Sequence, residues 1–209
     1  VGVVVAAISG AVYLLASWLL PSAVAVLLAV AAGIYLTGAF HEDGFADMCD
    51  GFGGGLTRER VLEIMKDSRI GAYGAIGIIC LLAIKCAALA SLPPATLVAT
   101  LFIAHPLSRL AAVSLIWVLD YARDEGKAKP LATRIGGGEL IFATITALLP
   151  LLLLAPKQSI PAVVLALLAT LWLGRMFKKQ IGGYTGDCLG ATQQLSEVAF
   201  YCGMLCKFS

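Results

Sequence analysis

Apolar runs separated by short polar segments recur along the whole chain, at about 1–20, 22–40, 72–92, 95–119, 138–155, 159–175 and 189–206. Each has about the 17–25 residues that a helix needs to cross a hydrocarbon core. The pattern predicts an all-α fold, a polytopic integral membrane helical bundle of about seven transmembrane helices in a single domain, 1–209. Gln193, Gln194 and Glu197 interrupt the last run, making it the least regular of the seven.

The polar segments differ in charge, and the difference predicts an orientation. Of fifteen Lys and Arg, eleven fall in three segments: Arg58, Arg60, Lys66 and Arg69; Arg123, Lys127, Lys129 and Arg134; Arg175, Lys178 and Lys179. The alternate connections, at Pro21-Ser22, Ser91 to Pro94 and Ala155 to Pro161, contain one basic residue, Lys157. The positive-inside rule puts the three charged loops in the cytoplasm. Apart from Glu197, the acids crowd into the same loops or the helix ends beside them, which the rule does not require. An acidic site on the cytoplasmic side explains that bias.

Composition narrows the class further. With 60% hydrophobic and 13% charged residues and a mean hydropathy of +0.92, the chain lies outside the soluble globular range. A net charge of +2, with basic residues interleaved among acids, offers no surface for nucleic acid. Six cysteines without CxxC spacing, most of them in apolar runs, read as small core residues.

The densest polar segment runs from His41 through Glu42, Asp43, Asp47 and Asp50 to Gly51, directly after an apolar run. If a helix continues through it, Asp43, Asp47 and Asp50 sit at i, i+4 and i+7 and point from one face. Carboxylates that close repel one another unless a cation or protonation removes charge. Hard oxygen ligands suit magnesium or manganese, and magnesium binds through few carboxylates plus substrate phosphates. The glycines at 51, 53, 54 and 55 are expected to end the helix and admit a ligand close to the backbone. A second helix is predicted from Thr57 as N-cap. It would carry Glu63 and Asp67 on one face as a further acid pair able to fold onto the first, with Arg58 and Glu59 as solvated charges.

Two more segments bear on the chemistry. Gly182, Gly183, Gly186 and Gly190 surround Thr185 and Asp187 just after Lys178 and Lys179, a composition suited to a tight turn whose free amides hold phosphate oxygens. Within the apolar runs lie Lys85 and, one turn after His105, Arg109. Charges at that depth cost at least about 2.5 kcal/mol on insertion scales and face a bundle interior. His105 and Arg109 are expected to line a polar cavity entering from the cytoplasmic side; the alternative for Lys85 and Arg109 is that they only fix helix packing.

Acid clusters, a glycine-rich turn and basic residues in a membrane protein point to transfer of a phosphate-containing group with a divalent metal offsetting phosphate charge. Asp47-x-x-Asp50-Gly51 matches only the opening of the CDP-alcohol phosphotransferase motif. A fuller resemblance is carried by three blocks in order. The first joins Thr37 to Gly51 with Leu62 to Gly71, the second is Tyr121 to Gly126, and the third is Gly182 to Ala191 with Glu197. Together they resemble the cobalamin (5′-phosphate) synthase family, also called adenosylcobinamide-GDP ribazoletransferases.

The resemblance implies a multi-pass enzyme of the prokaryotic cytoplasmic membrane that requires Mg²⁺. Its implied substrates are adenosylcobinamide-GDP and α-ribazole or its 5′-phosphate, its products adenosylcobalamin (phosphate) and GMP. Its setting is membrane lipid, with a homo-oligomer or other corrin-pathway enzymes as the partners left open. By position it implies Asp43, Asp47, Asp50, Asp67 and Asp187 as the metal site, with Glu42 a weaker member because the family tolerates an apolar residue there. Lys66, Arg69 and Arg123 would hold diphosphate charge, with Arg109, Gly183 and Thr185 as further substrate contacts. His41, Asp43 or Asp47 would take the proton from the attacking hydroxyl; the sequence does not choose. The chain begins past the short N-terminal segment that family members usually carry, and the Lys-Ala-Lys-Pro after Gly126 is more basic than the family pattern. Two other readings stay open, a CDP-alcohol-type phosphotransferase and an ion-coupled transporter. The confinement of most acids to one face, without internal repeats, weighs against transport.

Overall fold

A computed structural model of the protein describes residues 1–123 and 135–206. Among the described residues the chain forms nine α-helices and no strand. They are α1 (Gly2–Ser17), α2 (Ser22–Thr37), α3 (Phe40–Gly54), α4 (Arg58–Ile64), α5 (Ala72–Ala90), α6 (Pro94–Val118), α7 (Gly137–Leu148), α8 (Pro156–Ile181) and α9 (Gly186–Met204), with a 3-10 turn Leu149–Leu153 after α7.

The all-α membrane fold holds, but a count of seven spans does not follow from these helices. Three are long and apolar enough to cross a bilayer: α5, α6 and α8, of 19, 25 and 26 residues. A fourth arises only if α2 and α3 are taken together, and they are bent by 89°. The bend has a local cause. Gly38 (φ 63°) and Ala39 (φ 57°) are both left-handed, so α2 ends and α3 departs across it, carrying the acids away from the apolar segment. The apolar α1 and α7 are shorter than a span. Helix α9 fails for a different reason: it packs against α8, α3, α6 and α5 and buries Gln193, Gln194 and Glu197 inside the bundle.

Two apolar cores flank α9. One gathers Tyr13, Leu89, Leu97, Ile103, Phe200 and Tyr201 from α1, α5, α6 and the end of α9. The other gathers Phe45, Met65, Leu173, Phe177, Ile181 and Val198 beneath α3, α4 and the end of α8. Meanwhile Leu27, Ile76, Ile79, Leu168 and Trp172 stay exposed on the outward faces of α2, α5 and α8. Water would disfavour so much apolar surface, whereas lipid accommodates it.

The glycines after Asp50 do not stop α3 where expected. The helix runs on to Gly54, because these positions are sites of close approach. A Cβ at Gly51 would collide with the Met65 side chain, and one at Gly53 would lie 2.6 Å from the Tyr73 ring. Helix α4 starts as expected, with Thr57 Oγ1 accepting from the Arg60 amide at 3.3 Å, but it ends at Ile64. Glu63 and Asp67 therefore share no helical face. Glu63 pairs with Arg60 and Asp67 with Arg69, each at 2.7 Å.

Candidate active site

The acidic face is built where α3 crosses the start of α9, and glycine permits the crossing. A Cβ on Gly44 would come within 2.9 Å of Asp187 Cα and 3.0 Å of its carbonyl oxygen. Reciprocally, a Cβ on Gly190 would lie 3.1 Å from the His41 carbonyl oxygen. With both side chains reduced to hydrogen the backbones touch, and Asp43 and Asp47 of α3 stand beside Asp187.

Asp187 lies in the first turn of α9, capped by Thr185, whose hydroxyl accepts from the Cys188 amide at 3.3 Å. Thr185 also lies 3.3 Å from Asp187 Oδ2 and is fully buried, so its role is to shape the turn. The approach to that turn is pinned to the end of α6. The Ala122 amide donates to the Tyr184 carbonyl at 2.8 Å and the Tyr184 amide to that of Asp120 at 2.9 Å. Gly183 fits because any Cβ there would collide with the Asp120 carbonyl oxygen. Arg58, expected to be solvated, instead donates to the Ile181 and Ala122 carbonyls at 3.0 and 2.9 Å, tying α4 to both segments.

This docking delivers Arg123 to the acids. Its Nη2 donates to Asp187 Oδ2 at 3.0 Å and lies 3.4 Å from the Met65 carbonyl. Its Nε is buried with no hydrogen-bond partner among the described residues. A buried charged donor left open is costly unless something accepts from it. One cation does not neutralise the face. Burial, then repulsion from Asp43, Asp187 and Asp50, raises Asp47 from 3.8 to about 7 against the opposing pull of Arg123. Burial also raises Asp187, with Arg123 and Thr185 opposing. The face is thus a patch of oxygen donors with unmet demand for positive charge.

Other expected site residues are placed differently. Asp50 uses both oxygens on backbone, accepting from the Gly71 amide at 2.7 Å and the Gly74 amide at 2.8 Å. It caps α5 from outside that helix, satisfying N–H groups that would otherwise be orphaned. Asp67 and Arg69 are paired with each other in the exposed turn after α4, and the hydrogen bonds from Arg69 hold Asp67 down at about 2. Lys66 beside them is exposed. Asp124, Glu125, Gly126, Lys127, Lys129 and Arg134 lie outside the described residues.

Glu42, His41 and Arg109 face a separate polar cluster on the far side of α3. There they line a narrow cavity of about 30 Å³, with Lys85, His105 and Glu197 also in its wall. Lys85 Nζ lies 3.1 Å from Glu197 Oε1 and donates to Gln194 Oε1 at 2.6 Å. The Tyr201 hydroxyl donates to Glu197 Oε1 at 3.0 Å, and His105 Nδ1 sits 3.1 Å from Glu197 Oε2. Arg109 donates to the His105 carbonyl at 2.8 Å. The expectation of a cavity lined by His105 and Arg109 is met. Sequence reasoning did not anticipate its organiser, although Gln193, Gln194 and Glu197 stood out as polar interruptions in an apolar run.

Among the described residues no group of three or more His, Cys, Asp or Glu is placed to hold a metal ion.

The whole chain is similar to known proteins. Residues 1–205 match the family profile of cobalamin-5-phosphate synthase. The chain belongs to that family. Curated relatives named adenosylcobinamide-GDP ribazoletransferase include that of Ralstonia pickettii (strain 12J), 44% identical over all of this chain and 83% of the relative. Those of Shewanella frigidimarina (strain NCIMB 400), 44% identical over 96% of this chain and 79% of the relative, and Polaromonas sp. (strain JS666 / ATCC BAA-500), 43% identical over 98% and 82%, agree. No solved structure matches the fold. Parts of the first and third motif blocks meet at the α3–α9 crossing, and Glu42 and Glu197 line the cavity behind it.

Proposed function

We propose that this protein joins the adenosylcobinamide phosphate of adenosylcobinamide-GDP to α-ribazole or its 5′-phosphate, giving adenosylcobalamin (phosphate) and GMP. The observation that carries the reading is the acidic face with one inward arginine: Asp43, Asp47 and Asp187 beside Arg123, whose buried Nε is open to an acceptor. A diphosphate completes that set. Its oxygens accept from Arg123, and Mg²⁺ held by Asp43 and Asp187 would offset its charge and polarise the phosphorus. The ribazole hydroxyl oxygen bonds to the phosphorus nearer the corrinoid, the bond to the bridging oxygen breaks, and GMP leaves with that oxygen. The hydroxyl proton passes to Asp47, whose proton affinity near neutrality suits a general base. His41 is less suited, because it faces the buried cluster.

Lys66, Asp67 and Arg69 stand at the rim, one to four residues past Met65, whose carbonyl Arg123 contacts. Exposed there, Lys66 and Arg69 serve first encounter with the anionic substrate. In this reading the acidic face opens to the cytoplasm, the side to which the positive-inside rule assigns the charged loops.

The test is GMP release by the purified protein in lipid, given both substrates, with Mg²⁺ or with chelator. Metal-dependent GMP release matched by cobalamin phosphate formation supports the reading. No turnover by folded protein refutes it, and turnover of a CDP-alcohol would replace it.

A further inference from the structure

Helix α3 is short, starts at a left-handed corner and bears the acids, while Phe45 and Met48 seat its other side in the apolar core. On its rear face the contact with α9 is polar. Gln194 Nε2 donates to Glu42 Oε1 at 2.7 Å and to Gln193 Oε1 at 2.9 Å, while Gln194 Oε1 accepts from Lys85 Nζ at 2.6 Å. Both amide hydrogens and the carbonyl of Gln194 are therefore assigned, and Gln194 is almost fully buried. Neither Glu nor an apolar residue reproduces that set: Glu lacks the donors and would face Glu42 charge to charge, and an apolar residue would strand it. Lys85 is fixed in turn by Glu197, so the chain of bonds runs from α5 through α9 to α3.

We propose that Gln194 is a positioning residue for the reaction, setting the rotation of α3, and hence the spacing of Asp43 and Asp47 from Asp187, through Glu42. This rests on the proposed activity. Glu42 precedes Asp43 directly and lies just over one turn before Asp47, so a roll of α3 that loosens Glu42 moves both aspartates. It makes the buried cluster part of the catalytic geometry, where an ion-pair network used only for packing would not depend on which atoms Gln194 presents.

The test compares wild type, Gln194→Met and the double variant Gln194→Met/Glu42→Met, each measured for thermal unfolding and for Mg²⁺-titrated GMP release. The single variant leaves a buried carboxylate without its donor and is expected to lose stability. The double variant removes the stranded carboxylate as well, and its unfolding temperature is expected to recover in part, the remaining loss reflecting Gln193 Oε1 and Lys85 Nζ, which lack their Gln194 partner in both variants. Its turnover is expected to stay about 10²-fold low, the cost of misplacing reacting groups by about 1 Å, with a raised half-saturating Mg²⁺ concentration. Recovery of wild-type rate in the double variant overturns the proposal, as does an unchanged rate in the single one. A double variant that stays as unstable as the single one but keeps the wild-type Mg²⁺ midpoint also overturns it. Turnover of the wild-type control separates these outcomes from failure of the proposed activity itself.

Discussion

Replacing Gly44 by alanine perturbs the α3–α9 crossing with a single methyl group. That methyl would sit 2.9 Å from Asp187 Cα and 3.0 Å from its carbonyl oxygen, whereas ordinary contact begins at 3.4 Å. The obstacle is backbone, so no side chain can swing aside, and the helices must part by about 0.5 Å or α3 must roll. Overpacking of this kind costs about 1–3 kcal/mol, partly offset by the roughly 0.5–1 kcal/mol that alanine gains over glycine within a helix. The fold survives. The rate suffers more, because a displacement of about 1 Å at reacting groups costs about 10²-fold, and half that distance implies about tenfold. The assay is GMP release at saturating substrates, paired with thermal unfolding in the same lipid. Gly54→Ala is the control, since its methyl meets only the tip of Ile64 at 3.5 Å; it should match wild type in both readouts. Full activity in Gly44→Ala would refute the claim that contact of the two backbones sets the spacing of the acids.

Three further outcomes follow from the same geometry. Asp47→Asn should stabilise the metal-free protein in a pH-dependent way: with its pKa raised from 3.8 to about 7, the wild-type carboxyl contributes stability below about 4 that is lost as pH rises through about 7. The gain of the variant in unfolding temperature should therefore be absent at pH 4 and largest at pH 8; an equal gain at both would show that Asp47 titrates normally. Asp50→Asn should do the opposite, costing about 1–3 kcal/mol at neutral pH, because its NH2 group would face one of the two amides, Gly71 or Gly74, that need an acceptor; a variant as stable as wild type by denaturant unfolding would exclude the capping role. Gly183→Ala should undock the Asp120–Arg123 segment, and hydrogen exchange at the Ala122 and Tyr184 amides should accelerate; unchanged protection there would count against the docking.

The helical pattern and the acid periodicity were legible in the sequence because both depend on local spacing. Asp43, Asp47 and Asp50 do lie on one helix, and Thr57 does start another. Fates decided by non-local partners were not legible. Asp50 looks like its neighbours in sequence, but amides from more than twenty residues away occupy it. Glu42 sits beside Asp43 and faces the opposite cluster, since adjacent helical positions point about 100° apart. The span count is left unconfirmed at the same kind of place: hydropathy does not register the left-handed pair Gly38-Ala39 that turns α3 aside, nor the neighbours that enclose α9. The glycines after Asp50 look like a helix stop, yet what they provide is room for Met65 and Tyr73.

The most direct measurement is Mg²⁺-titrated GMP release from adenosylcobinamide-GDP and α-ribazole phosphate by wild type, Asp47→Asn and Asp187→Asn, each shown to be folded. The α3–α9 face as the site of transfer predicts metal-dependent release by wild type, loss in Asp47→Asn that no Mg²⁺ concentration restores, and a higher half-saturating Mg²⁺ in Asp187→Asn. Wild-type rates and Mg²⁺ midpoints in both variants would contradict it and move the reaction elsewhere in the molecule.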